Sequence, residues 1–291
     1  QEKEWEKVQN YYVENRQKLE RDPSNNEARL ALAHLFINEA RVTGEHGHYY
    51  LAALEVLDGI KLEAADEDVR FRALAAKAGV QLSLNDFAAG LETAKQAVAI
   101  NPYNAQIYGA LVDANVELGR YDEAVAMADK MVSIRPDLRS YARISYLREI
   151  HGQVDGAIEA MKLAVAAGFP SYEETAWARL TLGRLYENYG SPDEAEQQYQ
   201  MILAERPDYP FAIGALADMA IKRKDYPEAE RLLKQAAGII PEFSFYESLA
   251  HIYKETGRQE AFENTMKELW AMLKDDTDSG HNMNLEYAQL N

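Results

Sequence analysis

The chain has 291 residues, 47% of them hydrophobic and 27% charged, with a formal net charge of −17. A carboxylate surplus of that size argues against nucleic acid or an anionic membrane surface as partner, because phosphate binding draws its affinity from clustered Lys and Arg. Basic or neutral protein partners fit better. Cysteine is absent, which excludes disulfides, thiolate metal sites and cysteine nucleophiles, and no apolar run approaches the roughly 18–20 residues of a membrane span.

Residues 1–24 are predicted to form a capping helix, with Trp5, Val8, Tyr12 and Leu19 near helical spacing and Asp22 and Pro23 ending it. From residue 25 to 291 the chain reads as a succession of helical hairpins, each with a first helix (A) and a second helix (B). The units fall near 26–67, 71–104, 105–138, 138–171, 176–209, 210–243 and 243–275, with a partial one at 281–291. In the first, Leu32, Ala33 and Phe36 belong to helix A, and extra residues around Thr43 to Tyr50 are predicted to lengthen the inter-helix turn as an exposed polar loop. The second carries Asp86, Phe87, Gly90 and Pro102, and the third Tyr108, Leu111, Gly119, Tyr121, Ala124 and Pro136. The fourth ends loosely at Gly168, Phe169, Pro170 and Ser171, where a local break in regularity is expected. After the seventh, Lys274 to Gly280 reads as a charged loop, and Tyr287 and Ala288 look like the opening of another helix A. The array is therefore expected to continue beyond Asn291. Residues 1–20 are too charged for a secretory signal, and the segment reads as soluble. Because it opens on Gln1 instead of Met, export or lipid anchoring through a leader upstream stays open beside a cytoplasmic location.

The period is visible in the numbering. Pro102 and Pro136 lie 34 apart, as do Pro207 and Pro241. Ala53, Gly90, Ala124, Ala157, Ala195, Ala229 and Ala261 recur once per unit on helix B, and Ala33, Ala78, Val112, Ser145, Gly183, Ala217 and Ala250 on helix A. Small residues at facing positions are what a close helix crossing requires, and a larger side chain there costs about 1–3 kcal/mol by overpacking. The tyrosines Tyr121, Tyr186, Tyr226 and Tyr253 are expected to knit A to B in the core.

The series Leu182, Gly183, Tyr186, Gly190, Ser191, Pro192, Asp193, Glu194, Ala195, Tyr199 and Pro207 resembles the tetratricopeptide repeat (TPR), a helix-turn-helix unit of this period. The resemblance implies an all-α, right-handed α-solenoid of about seven repeats, with a capping N-terminal helix and a truncated eighth repeat. The run Ser140–Glu149 and the insertion after Arg41 resemble uncharacterised bacterial TPR proteins, some of them exported or lipid-anchored. The family's usual function is non-catalytic: a scaffold or adaptor that takes a peptide or a partner surface in a groove lined by the A helices.

In that family the ninth position of helix A faces the groove; here it holds His34, Gly79, Asp113, Tyr146, Arg184, Asp218 and His251. Neighbouring groove positions add Arg139, Arg143, Trp177, Phe211 and Glu247. Arg139, Arg143, Tyr146 and Arg184 are the expected contacts, joined by Asp113, Asp218 and His251, since guanidinium donors grip carboxylates bidentately and tyrosine adds flat contact area. Trp177 is expected to pack against the preceding repeat. The subclass that docks chaperone C-terminal tails needs a Lys at the fifth position and an Asn at the ninth; the fifth positions Leu30, Ala75, Gly109, Ala142, Leu180, Gly214 and Glu247 contain no Lys, so such tails are not expected partners.

An alternative is a self-assembly module that packs through its end and convex faces. A metal-dependent hydrolase at His46 and His48 with Glu45 is the weakest reading, for want of a third ligand. Asp275 to Glu286 imitates a calcium loop, but Thr277 and Ser279 stand where carboxylates bind. No H-E-x-x-H, G-x-S-x-G or Walker loop occurs, so neither a metal, a cofactor nor an enzymatic activity is expected. Asp122 with Glu123, and Asp193 with Glu194, are read as favourable charges at the starts of B helices.

Overall fold

The computed structural model describes residues 2–43, 46–278 and 287–288, and no strand occurs among them. The chain divides into two compact units, with the sequence boundary between Pro136 and Asp137. The first contains α1 (Glu2–Arg21), α2 (Asn26–Thr43), α3 (His46–Asp58), α4 (Glu67–Ser83), α5 (Phe87–Ile100), α6 (Ala105–Glu117) and α7 (Tyr121–Ile134). The second contains α8 (Leu138–Ile150), α9 (Val154–Ala167), α10 (Glu173–Asn188), α11 (Pro192–Glu205), α12 (Pro210–Lys222), α13 (Tyr226–Ile239), α14 (Phe243–Glu255) and α15 (Gln259–Asp278). Within each unit, successive helices pair as hairpins, and each hairpin packs its A helix onto the B helix before it.

One turn chemistry recurs between A and B. After each of α4, α6, α8, α10, α12 and α14 a single residue adopts the left-handed conformation: Asn85, Gly119, Gly152, Gly190, Lys224 and Gly257, with φ between 60° and 92°. The next amide then reaches back across the turn, as from Arg120 to the Asn115 carbonyl at 2.7 Å and from Asp225 to that of Ala220 at 2.8 Å. This bond satisfies a carbonyl the helix end would leave unpaired. Asp86 and Asp225 cap the helices that follow, through the amides of Ala89 and Glu228. In the second unit, Asp137 and Ser140 form a reciprocal capping box at the start of α8.

The small positions lie where the period places them. Ala33, Ala53, Ala78, Ala124, Ala157, Ala195, Ala217 and Ala229 have no solvent contact, while Ala261 in α15 is half-buried. Ser145 donates its hydroxyl to the Ala157 carbonyl at 2.7 Å, so the two series touch directly between α8 and α9. At Gly183, a Cβ would come within 2.3 Å of the Tyr199 ring.

Three sequence expectations need correction. The extra residues after Phe36 do not form an open loop, because α2 continues to Thr43 and α3 begins at His46; good helix formers such as Glu39, Ala40 and Arg41 extend the helix instead. Lys274–Asp278 is the end of α15 and not a loop, so the calcium-like segment starts helical; its residues 279–286 lie outside the described residues. Tyr121 is 47% exposed at the first position of α7, whereas the tyrosine without solvent contact is Tyr199. Tyr253 is buried as expected, with Tyr186 and Tyr226 half-buried. The side chain of Trp5 lies outside the described residues, as does 281–291 apart from Tyr287 and Ala288, where the Tyr287 ring lies 5.7 Å from that of Trp270.

The additional residues before α10 are tied down. The Ser171 amide donates to Glu205 Oε2 at 2.7 Å, and Arg206 donates to the Ser171 carbonyl at 2.9 Å. Thr175 donates its hydroxyl to the Phe169 carbonyl at 2.7 Å.

Candidate functional site

In the second unit the A helices α8, α10, α12 and α14 each present one polar stripe. Its spacing is helical: Arg139, Arg143 and Tyr146 on α8; Trp177, Thr181 and Arg184 on α10; Phe211, Asp218 and Lys222 on α12; Glu247, Ser248 and His251 on α14. Charged partners on successive A helices meet across these stripes. Arg139 pairs with Glu174, and Lys222 Nζ lies 2.6 Å from Glu187 Oε1. Tyr209, just before α12, donates its hydroxyl to Glu173 Oε1 at 3.3 Å. Burial first, and Glu173 second, push the Tyr209 phenol up to about 12. The Tyr199 phenol is also pushed up, by burial and by Glu187, to which it donates at 2.9 Å.

These pairings sort the expected contacts. Arg139 is already engaged by Glu174, and Arg143 is half-buried and donates Nη1 to the Arg139 carbonyl at 3.3 Å. Tyr146 is 49% exposed. Arg184 is exposed and makes no hydrogen bond or ion pair among the described residues, although its charge acts on Tyr199, Tyr209 and Asp218. Trp177 is not packed away but 44% exposed, because the buried stripe of α10 runs through Ala176, Ala178, Leu180 and Leu182 and leaves the indole outside it.

Asp218 keeps solvent contact, yet its carboxyl is held above the ordinary range, first by crowding and then by Glu187. Lys222, Arg184 and a Ser248 hydrogen bond oppose the shift. His251 is exposed on α14. Asp113 is half-buried on α6 in the first unit and is described with that unit alone. There, Arg72 of α4 pairs with Glu27 of α2, the same A-to-A device. Residue reading missed the acidic halves Glu173, Glu174 and Glu187 and their partner Lys222. Their signal is an offset of one repeat: 139 to 174 and 187 to 222 are each 35 residues.

No cluster of three His, Asp or Glu able to hold a metal occurs among the described residues. His48 packs edge-on to Tyr49 with ring centroids 4.9 Å apart, while the side chain of His46 and all of Glu45 lie outside the described residues. Asp122, Glu123, Asp193 and Glu194 occupy the first turns of α7 and α11, where helix-end amides favour negative charge. No described helix is long and apolar enough to cross a membrane.

Two family models, both described as tetratricopeptide repeat, match residues 81–148 and 176–219. A curated relative, small glutamine-rich tetratricopeptide repeat-containing protein 2 of Saccharomyces cerevisiae, is 28% identical over 106 residues, covering 36% of this chain; the match spans only 29% of that protein's length. Among solved structures, a tetratricopeptide repeat protein from Parabacteroides merdae superposes with a TM-score of 0.62 at 14% identity, covering 91% of this chain and 97% of the other. PilF of Pseudomonas aeruginosa gives 0.58 at 14% identity, over 71% and 93%. A thermophilic protein of Thermus thermophilus, TTC0263, gives 0.53 at 24% identity, over 64% and 94%. At these identities the likeness shows the fold, an all-α helical-repeat solenoid.

Proposed function

This chain carries tetratricopeptide repeats, and from that premise we propose that it is a non-catalytic scaffold whose A-helix face in the second unit receives a peptide or an extended segment of a partner protein. The observation that carries this reading is Arg184: an exposed guanidinium without an ion pair among the described residues, on a face where the neighbouring cations Arg139 and Lys222 are already neutralised. The same face presents the exposed rings of Tyr146 and Trp177. One unspent fork of donors beside two flat apolar surfaces suits a segment with a carboxylate close to an aromatic or aliphatic side chain. Paired rungs repel little and attract little, so selectivity concentrates on the free cation.

Selection of random peptides from a display library on the full chain tests this, with affinities then measured by fluorescence polarisation. Enriched peptides should combine Asp or Glu with a bulky apolar residue. Arg184→Ala should weaken them by about 1.5–3 kcal/mol, the worth of a hydrogen bond to a charged group, or roughly ten- to a hundredfold. Enriched peptides that bind the Arg184→Ala protein as tightly as the parent would refute the assignment.

A further inference from the structure

The first unit contains a cleft of about 620 Å³ between α1, α2 and α3, within the range of small-ligand sites. Its apolar wall includes Tyr12, Phe36 and Tyr49, whose rings form a chain with centroids 6.1 Å and 6.3 Å apart. The carboxylates of Glu20, Glu39 and Glu55 border the same cleft. Glu20 and Glu55 are exposed and have no ion pair among the described residues.

We propose that this cleft binds a small amphipathic amine, an aryl or alkyl body carrying a protonated nitrogen, with the body against Tyr12, Phe36 and Tyr49 and the ammonium beside Glu20 and Glu55. Three arguments select a cation. Glu20 and Glu55 are exposed carboxylates of the lining without an ion pair among the described residues, and the whole chain bears a net charge of −17, which concentrates small cations near its surface. Aromatic faces attract cations through their quadrupole, and the Tyr12 ring already does so, with the Arg16 guanidinium carbon 5.9 Å from its centroid. Of the two guanidiniums in the lining, Arg29 is held within the fold and the exposed Arg16 lies over an aromatic ring. The Arg16 guanidinium lies over the Tyr12 ring, while Arg29 donates to the Pro23 carbonyl at 3.0 Å and fills the space beside Gly59.

Tryptamine serves as probe and indole-3-propionate, with the same ring system and the opposite charge, as its control. Calorimetry on the full chain should show saturable one-to-one binding of tryptamine, at least fivefold tighter than the propionate. Ring resonances of Tyr12, Phe36 and Tyr49 should shift in parallel. The double variant Glu20→Gln with Glu55→Gln changes only exposed side chains, so it should keep the parent's melting midpoint and lose at least fivefold in tryptamine affinity. Absence of saturable tryptamine binding, equal affinity for amine and acid, or parental affinity in the folded double variant would each overturn the proposal.

Discussion

Replacing Gly183 by Ala adds one methyl carbon, and the structure puts it 2.3 Å from Cε1 of Tyr199 and 2.9 Å from Cδ1 and Cζ. The ring cannot step aside cheaply, because Tyr199 has no solvent contact and its hydroxyl is bonded to Glu187 at 2.9 Å. Overpacking of a close helix crossing costs about 1–3 kcal/mol, and losing the phenol's bond adds about 0.5–1.5 kcal/mol. Against this, exchanging Gly for Ala inside a helix returns about 0.8–1 kcal/mol. The balance is a destabilisation of about 1–3 kcal/mol. Gly79 in α4 supplies the reverse case, since a Cβ there meets nothing within 4 Å; Gly79→Ala should stabilise by about 0.5–1 kcal/mol. Repeat proteins can lose two-state behaviour, so urea unfolding followed by circular dichroism should be paired with amide hydrogen exchange in α10 and α11. In a Tyr199→Leu background, which opens the space, Gly183→Ala should become neutral or favourable. A Gly183→Ala protein as stable as the parent, or one that Tyr199→Leu does not relieve, would refute the crossing geometry.

Lys224 holds a φ of 60°, which strains a residue with a Cβ by about 1–2 kcal/mol, so Lys224→Gly should raise the urea midpoint, offset in part by the greater unfolded-state freedom of glycine. Arg258, followed by Lys234, holds the Glu230 carboxyl down to about 2. A depressed folded-state value means the pairing stabilises above the ordinary carboxylate range and is lost as pH falls through about 2. Glu230→Gln should therefore cost about 1–2 kcal/mol at neutral pH, a figure reduced for solvent around the half-exposed Arg258, and nothing near pH 2, as comparison of the two proteins' unfolding across pH would show. Asp218 has the opposite sign. Its raised value means that ionisation opposes folding, so Asp218→Asn should increase stability at neutral pH and lose that advantage on acidification; equal stabilities at pH 7 would contradict the crowding described at α12.

The period and the facing small residues were legible because they obey a local steric rule: whatever the partner, Ala157 and Ser145 must be small if α8 and α9 are to touch. What depended on a neighbour was not. Tyr121 and Tyr226 hold the same register position, yet the first is exposed and the second half-buried, so the period assigns a place and the surrounding hairpins assign the environment. The groove reading had the same character. Arg139, Arg143 and Arg184 are equivalent as residues, and only the fold distinguishes the cation met by Glu174, the one that reaches back to its own helix and the one without an ion pair among the described residues. The extra residues after Phe36 read as a loop because an insertion within a repeat interrupts its period, whereas Glu39, Ala40 and Arg41 favour helix and carry α2 on to Thr43.

The strap at Ser171 separates length from looseness. An insertion between stacked modules would ordinarily act as a joint, but here both the amide and the carbonyl of the inserted stretch are fastened to Glu205 and Arg206, at the far end of the hairpin that follows. The spacer is therefore pinned to that hairpin at both its donor and its acceptor, so the 34-residue cadence skips a beat while the added residues stay fastened to the module they precede.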